Sequence, residues 1–148
     1  MDIVGIKYKK LNRYAQEPFH GSAAAAGLDL HAAIPDKVYI YPGETEKIPT
    51  GLSFELPTFM FGMIVPRSGL ATKKGLRPAN TPGICDSDYR GEYIVALHND
   101  SSEIQSIEPR ERIAQVLFMP YFGVKLNEVS NLSETERGEG GFGSTGAK

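Results

Sequence analysis

The sequence predicts an all-β domain closed as a jelly-roll-like β-barrel or sandwich, with one short helix and a flexible glycine-rich C-terminal tail. Sixteen glycines and ten prolines divide the 148 residues into short stretches rich in Val, Ile, Tyr and Phe. That spacing reads as many short strands joined by tight turns. Val38 and Ile40 alternate with Lys37, Tyr39 and Tyr41 before a Pro42-Gly43 turn. Lys47 to Leu56 and Phe59 to Val65 are further strand candidates. Tyr93 to Leu97 and Ile113 to Met119 are nearly continuous apolar runs, suited to strands buried on both faces. Such strands close most naturally as a sandwich or jelly roll. The helix falls on Ser68-Gly-Leu-Ala-Thr-Lys-Lys-Gly75, with a serine N-cap and a glycine C-cap.

A chain of this length is expected to be one domain with a sufficient core. The apolar periodicity stops near Ser133, which predicts a β-domain over 1–132 and a mobile arm over 133–148. A single cysteine, Cys85, excludes an internal disulfide. The N-terminal residues lack the basic-then-apolar order of a secretory signal, and no apolar run is long enough to span a membrane. A non-secreted protein is expected, with the sequons at Asn99 and Asn131 as chance matches. A net charge of −2 argues against a nucleic-acid backbone as partner, though not against one nucleotide.

Five segments carry candidate chemistry. Arg137-Gly-Glu-Gly-Gly-Phe-Gly-Ser-Thr-Gly146 has glycine spacings of phosphate-binding loops, but no βαβ unit accompanies it and Ser144 stands where a P-loop lysine belongs. Its ordinary reading is a linker. Arg137, Ser144, Thr145 and the backbone about Gly143 can nevertheless grip a phosphate, while Phe142 stacks on a base for ~1–3 kcal/mol. Pro66-Arg-Ser-Gly-Leu-Ala71 sets Arg67 and Ser68 at a helix start, which is either a phosphate site or a plain capped turn. Pro82 to Gly91 reads as a β-hairpin with Asp86 and Asp88 near its end, one a possible general base for water. It fails as a calcium loop, because Arg90 and Leu97 occupy ligand positions. Gln115 within Arg112-Ile-Ala-Gln-Val116 needs a partner, a backbone group or a phosphate. Asp29, between Leu28 and Leu30, is a solvated strand residue or helps position a cation. His20, His31, His98 and Cys85 form no zinc pattern, and no Gly-x-Ser-x-Gly nucleophile is present.

In this order the five segments resemble the five motifs of the trimeric dUTPase family, over nearly the whole chain. Each alone is weak, and together they make chance unconvincing. The resemblance implies a Mg²⁺-dependent dUTP diphosphatase. Such an enzyme yields dUMP and pyrophosphate, limits uracil in DNA and supplies dUMP for thymidylate synthesis. It implies that Asp86 holds the water attacking the α-phosphorus. Asn80, Gly83, Ile84 and Cys85 would present backbone to uracil, with the strand around Ile94 closing the pocket and Tyr89 packing under the deoxyribose. Arg67, Ser68, Gly69 and Gln115 would contact phosphates, and Asp29 would orient waters around Mg²⁺. Arg137, Gly143, Ser144 and Thr145 would hold the γ-phosphate while Phe142 stacks on uracil. A homotrimer with shared sites is expected, without nucleic-acid or membrane partners. Its expected location is cytoplasmic, or nuclear in a eukaryotic or viral setting. Leu28, Cys85 and Arg110 depart from the common pattern, in which an aromatic, a branched aliphatic and a glycine are usual. A dCTP deaminase, which shares the fold, is the second reading, and a dUTP-sensing partner-binding protein is the third.

Overall fold

A computed structural model describes residues 3–141. Phe142, Gly143, Ser144 and Thr145 lie outside these residues. The described residues form twelve strands and one helix. The strands are β1 (Lys7–Lys10), β2 (Phe19–His20), β3 (Leu28–His31), β4 (Val38–Ile40), β5 (Thr45–Pro49), β6 (Leu52–Glu55), β7 (Met60–Val65), β8 (Leu76–Pro78), β9 (Gly83–Cys85), β10 (Ile94–Asn99), β11 (Gln105–Ile107) and β12 (Arg112–Pro120). The helix α1 (Ser68–Lys74) lies between β7 and β8.

A five-stranded sheet runs β2-β3-β12-β7-β9, and a three-stranded sheet runs β5-β10-β8. Two ribbons, β1-β6 and β11-β4, complete the fold. Every pairing is antiparallel. The jelly-roll-like all-β class expected from the sequence is the class found. Strand β12 is central: Gln115 lies opposite Asp29 of β3 on one side and Val65 of β7 on the other. The core fills the space between sheets with Leu30, Ile40, Leu97, Ile113 and Val116, all fully buried. Phe54 joins them against Tyr93 (4.6 Å between ring centroids) and Phe118 (5.3 Å).

Several local expectations are corrected. The stretch 47–56 is two strands, because the chain turns at Gly51 with φ +67°. A Cβ there would meet the Ala15 methyl at 2.6 Å, so this corner requires glycine. The runs about β10 and β12 are not covered on both faces. Val95, Leu97 and Asn99 are buried while Ile94 is exposed, and Met119 is exposed near the end of β12. That alternation is normal for antiparallel sheets, which cover one face. The N-cap is Arg67 and makes no side-chain cap bond, whereas Gly75 ends the helix in the left-handed conformation as expected. Asn99 is fully buried, and its amide bonds Ile40 O, Glu103 O and Ser101. That sequon is therefore no glycan acceptor in the folded protein.

Arg110 adopts φ +65° at the turn before β12, closed by Glu111 N donating to Glu108 O. Pro109 followed by a left-handed residue is the pattern of a type II turn, which favours glycine at that position. Arg110→Gly is expected to raise stability by up to about 1 kcal/mol, the strain relieved less the entropy glycine loses. Arg110→Ala should not, and urea midpoints of the two variants check this.

Among the described residues, regular structure ends at Pro120. Phe122, Val124, Leu126 and Leu132 follow, exposed by 92, 82, 91 and 86%. No helix among the described residues is long and apolar enough to cross a membrane.

Candidate active site

Two concave regions gather most of the candidate residues. The first is a cavity of about 250 Å³ between β9 and β10. Asn80, Gly83, Ile84, Cys85, Asp86, Tyr89, Glu92 and Ile94 line it, over a floor of Ile64, Pro78, Tyr93 and Val95. These two limbs are not a hairpin. β9 pairs with β7 (Cys85 opposite Gly62), and β10 pairs with β5 and β8 in the other sheet. The cavity is the gap left where the chain crosses between sheets.

Tyr93 holds the gap open. Its buried ring occupies space that Gly62 vacates, since a Cβ there would lie 2.8 Å from the Tyr93 hydroxyl. Burial pushes the Tyr93 phenol upward, and the neighbouring Cys85 adds to the rise. Burial also raises the Cys85 thiol, which the neighbouring Tyr93 hydroxyl offsets in part. Cys85 is thus a protonated thiol near neutral pH and a poor nucleophile.

The turn between the limbs is built by Tyr89 N donating to Asp86 O (3.1 Å) and by Arg90 Nη1 donating to Ser87 O (2.7 Å). Asp86 is exposed at the cavity rim, and its carboxylate makes no hydrogen bond among the described residues. Tyr89, 45% exposed, lies flat on Gly91 with its hydroxyl donating to Glu92 O (3.1 Å).

The second region is a cleft of about 260 Å³ lined by Asp29, Arg67, Ser68, Arg112, Gln115 and the Gly21–Gly27 loop. Asp29 is not a solvated strand residue: it is 6% exposed. Arg67 Nε donates to its Oδ1 (3.0 Å) and Arg112 Nη1 to its Oδ2 (3.1 Å). Gln115 Nε2 donates to Pro66 O (3.3 Å), the backbone partner foreseen as the alternative to phosphate, and its Oε1 remains in the cleft. His31 lies on the same face of β3 and stacks on Phe19 at 5.5 Å. Burial pushes its imidazole down, Asp29 pulls it up, and Arg112 and Arg67 push it down further.

Among the described residues, the two regions share no lining residue. Gly69 is exposed beside the cleft without lining it. Arg137 lines neither; it closes a turn by donating from Nε to Gly140 O (2.8 Å).

The dUTPase family model matches residues 13–146. The deoxyuridine 5'-triphosphate nucleotidohydrolase of Nautilia profundicola is 50% identical over 95% of this chain and 98% of its own length. The enzyme of that name from Bdellovibrio bacteriovorus is 44% identical over 99% of each chain. The chain belongs to the dUTPase family. The solved Staphylococcus bacteriophage 80alpha dUTPase with dUpNHpp superposes with a TM-score of 0.83 at 26% identity, over 97% of this chain and 99% of that one. Apart from Ile64, the cavity residues fall within one stretch, 78–95, whereas the cleft is assembled from three.

Sequence reasoning passed over Glu92, Tyr93 and Arg112. Arg112 stood inside a recognised motif, but its partner Asp29 is 83 residues away and nothing local announces the pairing. Tyr93 read as one more apolar strand residue, and Glu92 was not singled out at all.

Proposed function

We propose that this chain hydrolyses dUTP to dUMP and pyrophosphate by water attack on the α-phosphorus, in a trimer whose subunits share each site. The observation that carries the reading is the cavity between β9 and β10, backbone-lined, with the Asp86 carboxylate free at its rim. A uracil ring fits between two fixed extended limbs whose peptide groups imitate a pairing partner. A 5-methyl would collide with main chain rather than a yielding side chain, which discriminates more steeply than the ~1–3 kcal/mol of an apolar pocket. Cytosine exchanges a donor for an acceptor and leaves buried groups unpaired. Tyr89 supports the deoxyribose and leaves no space for a 2′-hydroxyl.

The triphosphate extends to Arg67, Ser68, Gly69 and Gln115. Arg67 offers a planar donor fork to phosphate oxygens. The described residues include no group of three metal-ligating side chains, so they do not fit a resident ion. They do fit Mg²⁺ that arrives on the substrate and keeps its water shell. Asp29 gives one lone pair of each oxygen to a guanidinium, and each oxygen retains another to accept from a metal-bound water. When bound, the ion neutralises phosphate charge that would repel the nucleophile. Asp86 orients the water and accepts its proton, in line with the departing pyrophosphate. The arm from Ser133 then closes, with Arg137, Gly143, Ser144 and Thr145 on the γ-phosphate and Phe142 on the base. Closure excludes water and strengthens each charged contact.

Two features support the shared site. Base cavity and phosphate cleft are separate within one chain. The exposed Phe122, Val124 and Leu126 have little cover from the described residues, as expected of a segment that packs on a neighbour. The activity would remove dUTP from the cytoplasm, limiting uracil in DNA and supplying dUMP.

A pyrophosphate-release assay with dUTP, dTTP, dCTP and UTP, with and without Mg²⁺, tests the reading. Release from dUTP alone, dependent on Mg²⁺, is expected; equal turnover of all four would overturn it, as would ammonia release from dCTP. Truncation before Arg137 should leave the thermal melt unchanged and remove most of kcat, and a fully active truncate would refute the role of the arm.

A further inference from the structure

We propose that Glu92, which lines the cavity but has no role in the reading above, is the positioning residue that sets sugar selectivity by holding Tyr89 in place. The inference rests on the dUTP reading of the cavity and concerns what makes its floor rigid.

Tyr89 is fixed at two points. Its ring presses on Gly91, where a Cβ would lie 2.3 Å from the phenol oxygen and 2.5 Å from Cζ. Its hydroxyl donates to the Glu92 carbonyl at 3.1 Å. The second point is only as firm as Glu92 itself. The Glu92 carboxylate accepts from Gly51 N at 2.7 Å, a short charge-assisted bond. Gly51 cannot shift, being buried at φ +67° against Ala15 and Asn12.

The same corner grips the neighbours of Glu92. Ser53 Oγ donates to Arg90 O (2.7 Å), Thr50 Oγ1 to Tyr93 O (2.6 Å), and Tyr93 N to Leu52 O (2.8 Å). Residues 50–53 are thus a backing plate for residues 90–93. Three of its four bonds end on backbone groups of that segment. The fourth ends on a side chain, and Glu92 supplies it. A tyrosine that excludes a hydroxyl by contact must not yield by even part of an ångström. Without its carboxylate, Glu92 would release its own carbonyl, and Tyr89 would gain room to recede.

The test is the ratio of kcat/KM for dUTP to that for UTP. Glu92→Ala is expected to lower the ratio about tenfold, within the range one steric contact can set. Glu92→Gln keeps an acceptor for Gly51 N and should hold the ratio within about threefold of the unaltered protein. Tyr89→Phe removes only the donor to the Glu92 carbonyl and should lower the ratio as Glu92→Ala does. An unaltered ratio in folded Glu92→Ala overturns the proposal, as does an equal loss in Glu92→Gln. If Glu92→Ala does not fold, Tyr89→Phe decides, and an unaltered ratio there overturns it. Should the unaltered protein itself fail to prefer dUTP over UTP, the function proposed above fails instead.

Discussion

Asp86→Asn is expected to bind a non-hydrolysable dUTP analogue as the unaltered protein does and to release pyrophosphate at least a hundredfold more slowly. A positioned general base contributes roughly 10²–10⁴-fold to a proton-transfer step. Asparagine keeps the size and polarity of the side chain but cannot take a proton. The structure gives no other reason for a loss. The Asp86 carboxylate bonds nothing among the described residues, and the surrounding turn is closed by its backbone carbonyl, which the substitution keeps. Calorimetric titration with the analogue, beside a pyrophosphate assay with dUTP, separates binding from turnover. A kcat unchanged by the substitution would remove Asp86 from the reaction.

A mixture of two inactive variants should recover activity. Arg67→Ala strips the phosphate cleft of its leading donor, while Asp86→Asn disables the base cavity. If each site takes its cavity from one subunit and its cleft from another, subunits mixed at random in a closed ring leave about a quarter of the sites intact. Co-refolding equal amounts is therefore expected to restore about a quarter of the specific activity, against almost none for either parent. Were both regions of one chain to serve the same site, every site would carry one lesion and no mixture would recover. Melting curves of the parents check that Asp29, left with Arg112 as its one guanidinium partner, tolerates the loss of Arg67.

What the sequence revealed divides along the same line as the site. Apart from Ile64, the base cavity draws on residues 78–95, so its Gly83, its Asp86 and its Tyr89 could be read together. The helix was legible because Gly75 marks its end unambiguously, although its start shifted to Arg67 once that side chain turned to Asp29. The cleft was legible only as separate motifs, since the bonds uniting it span 38 and 83 residues. The hairpin expectation went wrong for a physical reason. Two apolar limbs around a polar turn carry the pattern of a hairpin, but β9 is bonded to β7, where Gly62 makes room for the Tyr93 ring. Local pattern reports which residues are extended; it does not report which strand each finds. Glu92 escaped notice because a turn carboxylate facing a distant backbone N–H looks the same in sequence as one facing water.

Because β9 and β10 belong to different sheets, the jaws that would grip the base are fastened to opposite walls of the domain. Their separation is gauged by everything wedged between those walls, from Phe54 and Tyr93 to the aliphatic side chains behind them. Fidelity is then a trait of the whole fold, and small volume changes deep in the interior should blur the reading of bases before they impair the capture of phosphate.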